Sequence, residues 1–199
     1  MRQLLVALGL FLVMSACGDS TTSDAPSTTA TETTQPSAVA TSDGAEFAIR
    51  LVRFDAPMVV IVNIGEERGS LAGHWLCQRP AYVEIPDFEL NPDESVAISL
   101  GGTEFLPPPG ALAVSVAHGI GPMDPRGGEI GLFSRPSFDV PGAVVSYVKW
   151  GTDIEGRSPA AIEAGVWTAG EFVATTDTSV LIESSDPSVV GPSNWTASA

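Results

Sequence analysis

Four side chains have the donor types of a blue-copper centre: His74, Cys77, His118 and Met123. Imidazole, thiolate and thioether together suit copper, and four residues lie between His118 and Met123 on one Gly-rich stretch. Forty residues separate Cys77 from His118, so the four meet only if the fold brings distant strands together. The other reading is a buried free cysteine with two unrelated histidines. Asp87, Glu89, Asp93 and Glu94 cluster around one turn and offer oxygen ligands of the kind calcium takes, although acidic turns are ordinarily just solvated. Catalytic signatures are missing: the chain has no Gly-x-Ser-x-Gly elbow, phosphate loop, Gly-x-Gly-x-x-Gly or His-Glu-x-x-His. With two histidines in all, acid and base chemistry falls to carboxylates, whose pairing a sequence does not reveal. The chain is therefore expected not to be an enzyme and to need no cofactor.

Cys17 has a different chemistry. Arg2 and an apolar run from Leu4 to Met14 precede it, too short to span a bilayer but suited to a secretory signal. The stretch Leu12-Val13-Met14-Ser15-Ala16-Cys17-Gly18 resembles the lipobox of bacterial lipoproteins, with Met14 where Leu is usual. That resemblance implies cleavage after Ala16 and a diacylglycerol thioether on Cys17. Two acyl chains reach the threshold for stable anchoring, whereas one gives only marginal binding. The expected location is the extracytoplasmic side of the cell membrane.

The remaining composition bounds what such an anchored protein can touch. The 199 residues carry a formal charge of −15, and removing Met1 to Ala16 takes away Arg2 and no acid. A surface this acidic repels nucleic-acid phosphates and anionic headgroups, so no nucleic-acid partner is expected and membrane contact is left to the lipid. Apart from Cys17 the only cysteine is Cys77, which excludes an intrachain disulfide framework once Cys17 is lipidated.

Elements must then position any site. Residues 17–45 form a lipidated cysteine and a tether: from Gly18 to Ala45, 13 of 28 residues are Ser or Thr and none is aromatic. Such a segment buries too little apolar surface to offset the entropy of ordering, so it is expected to be disordered. From Glu46 short apolar runs alternate with turn signals. Strands are expected at 47–54, 58–64, 71–77, 82–85, 96–100, 111–117, 129–133, 144–150 and 179–183. Met58 to Val62 is apolar without alternation, as in a central strand covered on both faces. One short connector helix is expected at Ser158 to Ala164, with Ser158 as its N-cap, Pro159 at its first position and Gly165 stopping it. The expected fold is all-β, an antiparallel sandwich over residues 46–184, followed by a loose tail over 185–199.

Several stretches in order resemble the lamin-tail domain, an immunoglobulin-like β-sandwich. Ser70-Leu71-Ala72-Gly73-His74-Trp75-Leu76 is similar to its Leu-x-Gly-Trp-x-Leu core strand with one residue inserted. Ile85-Pro86 followed by Leu90-Asn91-Pro92-Asp93 is similar to its Ile-Pro and Leu-x-Pro-Gly pattern, with Asp93 in the glycine position. Gly127 to Phe133 with Val144 to Tyr147 resembles its closing hairpin. The resemblance implies a binding, tethering or scaffolding module. On this reading Trp75 belongs to the core. The binding surface, toward an envelope protein or glycan, is placed at Gly121, Pro122, Met123, Trp150 and Trp167, because sandwiches carry function on their loops. Two further readings stay open. One is a cupredoxin-like electron carrier using the copper donors, although in that family the Cys lies just before the last His. The other is a carboxylate-dependent hydrolase.

Overall fold

The structure, a computed structural model, describes residues 46–102, 105–116, 119–152 and 156–199. Cys17, its signal segment and the tether lie outside the described residues, as does His118. Among the described residues no helix is long and apolar enough to cross a membrane.

Twelve strands form in the described residues. They are β1 (Phe47–Arg53), β2 (Met58–Asn63), β3 (Gly69–Ser70), β4 (Trp75–Gln78), β5 (Ala81–Glu84), β6 (Glu89–Leu90), β7 (Ser95–Leu100), β8 (Leu112–Val116), β9 (Gly128–Phe133), β10 (Val144–Trp150), β11 (Leu181–Ser184) and β12 (Trp195–Ser198). One sheet has the order β12-β11-β1-β2-β7-β8, a second β10-β9-β4-β5, and β3 pairs with β6. The chain is thus the expected all-β sandwich with one short helix, α1 (Ser158–Glu163).

The core lies between the two large sheets. Ile49, Val52, Val59, Ile61, Val96 and Ile98 of the first join Leu76, Ile130, Leu132 and Val148 of the second in one buried cluster. A bulge between Ile49 and Leu51 shifts the inward phase of β1, so that Val52 follows Ile49 into the core while Arg50 faces solvent. The Ile49 N–H donates to Ser146 Oγ of the opposite sheet at 3.0 Å.

β2 is buried along its whole length, as its unalternated sequence indicates. Its outward side chains Met58 and Val60 join Leu51 and Ala97 in a second cluster, covered by Phe105 and Ala111. That cover has a topological cause. β7 and β8 pair in parallel, where an all-antiparallel order was expected, and a parallel pair requires a crossover that travels the length of the sheet.

Four further expectations need correction. Leu71 to His74 forms a turn instead of the start of a strand, and β4 begins at Trp75. The β4 register then points Leu76 into the core, leaving Trp75 half-buried on the outer face of the second sheet. The polar segment 185–199 is not a loose tail, because Trp195–Ser198 pairs with β11 and closes one edge of the six-stranded sheet. At α1 the N-cap is Arg157 with no side-chain cap bond, and Ser158 lies inside the helix. Gly165 ends α1 as expected, at φ +75°, with Gly165 N–H bonded to Ile162 O and Val166 N–H to Ala161 O.

Candidate ligand-binding cleft

Charged residues stand in two mostly apolar strands, Glu129 second in β9 and Lys149 next to last in β10, and the register makes them direct cross-strand neighbours. Both point away from the inter-sheet core, and both are 2% exposed. What buries them is the segment after Gly151, which the sequence left without a role. α1 packs on β10, Trp167 meets Tyr147 edge-on with ring centres 5.7 Å apart, and Val173 bridges Trp150 in parallel. The cap therefore forms a third layer on the outer face of the second sheet.

Glu129 fastens this cap. Its carboxylate accepts hydrogen bonds from the Tyr147 hydroxyl and from the Arg157 backbone N–H, the latter at 2.8 and 2.7 Å to its two oxygens. An anion at the start of α1 satisfies an amide that the helix itself leaves unpaired. Burial pushes the Glu129 carboxyl above its ordinary range, opposed by these donors and by the Arg157 and Lys149 charges. Gly156, at φ +43°, lies against the same carboxylate, where an added methyl group would overlap it.

Beside Glu129 opens a cleft of about 430 Å³, lined by Gln78, Arg79 and Pro80 of the β4–β5 turn, by Gly127, Gly128 and Glu129, and by Gly156. Arg79 Nη1 donates to Gly156 O at 3.4 Å across it. Arg157 leads from the cleft to an aromatic group: it pairs with Asp139, and its guanidinium carbon lies 5.8 Å from the Phe138 ring centre. Phe138 in turn packs on Tyr82 at 5.1 Å and Trp75 at 6.3 Å. Tyr82 is 53% exposed, and Trp75 and Phe138 are half-buried.

The residues singled out from the sequence fall elsewhere. Trp150 and Trp167 are buried, with indole N–H groups bonded to Asp124 O at 2.8 Å and Glu171 O at 3.0 Å, so neither offers a binding surface. Gly121 and Pro122 are exposed, but Met123 is buried in the core. Of the copper donors among the described residues, Cys77 and Met123 are not brought together. Cys77 sits in a separate cluster with Phe133 and Ala143, where burial raises its thiol despite the nearby Arg157, while Met123 belongs to the inter-sheet core. His74 is buried edge-on to Phe47, at 5.5 Å, and burial lowers its pKa. Among the described residues no three His, Cys, Asp or Glu side chains are grouped to hold a metal. The acidic turn uses its carboxylates locally: Asp87 accepts from Ser70 Oγ at 2.8 Å, Glu89 pairs with Arg68, and Glu94 accepts from Asn91 N–H at 2.9 Å.

Glu129, Arg157, Gly156, Tyr82 and Phe138 went unmarked in the sequence. The one available signal was the pair of opposite charges, Glu129 and Lys149, inside apolar strands that make a hairpin. No protein-family model matches the chain, and no curated protein matches it either.

Proposed function

We propose that this is a lipid-anchored bacterial envelope protein, held through Cys17 and a Ser/Thr-rich tether, whose lamin-tail-like sandwich binds a partner without catalysis. The observation that carries the binding role is the aromatic group on the outer face of the second sheet, where Tyr82, 53% exposed, packs on half-buried Phe138 and Trp75 beside the Arg157–Asp139 ion pair. Large amphipathic rings next to fixed hydrogen-bonding groups are what a recognition surface uses. The lamin-tail likeness gains support from Asp93, which adopts φ +63° where that pattern has glycine. A non-catalytic role is supported by Glu129, whose carboxylate is engaged in holding the cap.

Fractionation of cells producing the full chain tests the anchor. Wild-type protein is expected in the membrane fraction, and Cys17→Ala in the soluble extracytoplasmic fraction. A Cys17→Ala protein that stays with the membrane overturns the anchor. A photo-crosslinker in place of Tyr82 tests the surface on intact cells. One recurrent adduct, competed away by added unlabelled protein, is the expected result.

A further inference from the structure

We infer that β8 is an interface between copies of this chain: two β8 strands pair antiparallel about a two-fold axis at Val114 and join two six-stranded sheets into one. The interface goes beyond the binding role above and uses a different sheet.

The backbone of β8 is open on one side. Among the described residues it ends the first sheet and pairs only with β7. An edge strand of this kind presents a row of N–H and C=O groups to a second strand. Gly101 N–H donates to Val116 O at 3.0 Å, so Val116 turns its carbonyl toward the sheet. Backbone groups alternate in direction along a strand, so Leu112 and Val114 turn theirs the same way, and Ala113 and Ser115 turn theirs outward. The other edges are protected. Val173 covers the edge of β10, its N–H donating to Lys149 O at 2.8 Å and its carbonyl accepting from Gly151 N–H at 2.9 Å. β5 ends in exposed Glu84, and Gly119 lies against its Tyr82 carbonyl. β12 exposes the polar Thr196 and Ser198. β8 has no such device: from Phe105 to Ala117 no residue is charged, and no proline falls within the strand.

The side chains of β8 suit a second copy of the same strand. Pairing about Val114 sets Val114 opposite Val114, Leu112 opposite Val116, and Ala113 opposite Ser115. Apolar residues then meet apolar ones on the core side, where Val116 is buried but Val114 is half-buried and Leu112 is 38% exposed. On the solvent side the exposed Ala113 and Ser115 are small enough for close approach. This register uses the backbone groups that point outward, because each Ala113 exchanges both its bonds with Ser115 of the other copy. The two-fold axis closes the contact, so association stops at the dimer. Charge points to the same edge: each copy carries −15, and two copies approach at least cost along a stretch with no charged residue.

The test uses the full chain in detergent at about 300 mM NaCl, which screens the repulsion, with protein mass read by light scattering over a concentration series up to about 200 µM. The wild type is expected to dimerise. Ala113→Pro removes an outward N–H and Ala113→Lys puts a charge on the edge; each should weaken the dimer by about tenfold or more while the circular dichroism of the sheets is retained. Val114→Cys, on the axis, should give a disulfide-linked dimer under mild oxidation beyond the wild-type background, and Ser115→Cys, opposite Ala113, should not. A wild type that stays monomeric at the highest concentration overturns the interface, even where a different protein adds a strand to β8. A dimer that both Ala113 substitutions leave intact, or that Ser115→Cys traps and Val114→Cys does not, overturns it as well.

Discussion

Glu129 shows how one buried carboxylate organises a layer. Its folded pKa is raised above the unfolded value by burial. The folded state therefore holds the proton to higher pH than the unfolded chain, and stability present below the unfolded pKa is lost as pH rises through the folded one. Glu129→Gln removes this titration. Urea unfolding of the wild type should show a contribution that declines as pH rises above the ordinary carboxyl range, and the variant should lack it; equal slopes in both proteins would refute the assignment. The neighbouring Gly156 is constrained twice, by φ +43° and by contact with the carboxylate. Gly156→Ala should cost about 2–4 kcal/mol, combining left-handed strain with overpacking, and denaturant midpoints measure it. A midpoint unchanged from wild type would mean that the Gly156 backbone is free to move away.

Period and turn chemistry made most elements readable. β10 has the expected bounds, 144–150, and β2 is covered on both faces as its apolar run suggests. Errors arose where pairing decides, because alternation gives a strand's period but only its partners set which phase faces the core. Trp75 took the outward phase of β4 for this reason. β12, with the polar sequence Trp-Thr-Ala-Ser, carries almost no strand signal, and it exists because β11 offers it a free edge. Deleting residues 185–199 should therefore cost about 2–4 kcal/mol, through lost ladder bonds and the partly buried Trp195, as read by thermal or urea unfolding. A loose tail would leave the midpoint unchanged.

At the scale of the whole molecule, acidity is the dominant property. The ion pairs of Arg50, Arg53, Arg68 and Arg126 are solvent-exposed, so each contributes little, while a net charge of −15 repels itself. Raising NaCl from about 10 mM to about 300 mM shortens the screening length several-fold and should raise the melting temperature by about 3 °C. A fall would mean that the ion pairs outweigh the repulsion. Charge, the signal-like start, the strand periods and the turn at Gly165 depend on residue type and near neighbours, and the sequence by itself determined them. Only the tertiary structure decided that the segment after Gly151 folds back over β9 and β10. That placement covers Lys149, packs Trp167 on Tyr147, and sets Glu129 beside Arg157 and Gly156. The physical reason is that contacts between residues far apart in the chain arise from packing one layer on another, which no local pattern encodes.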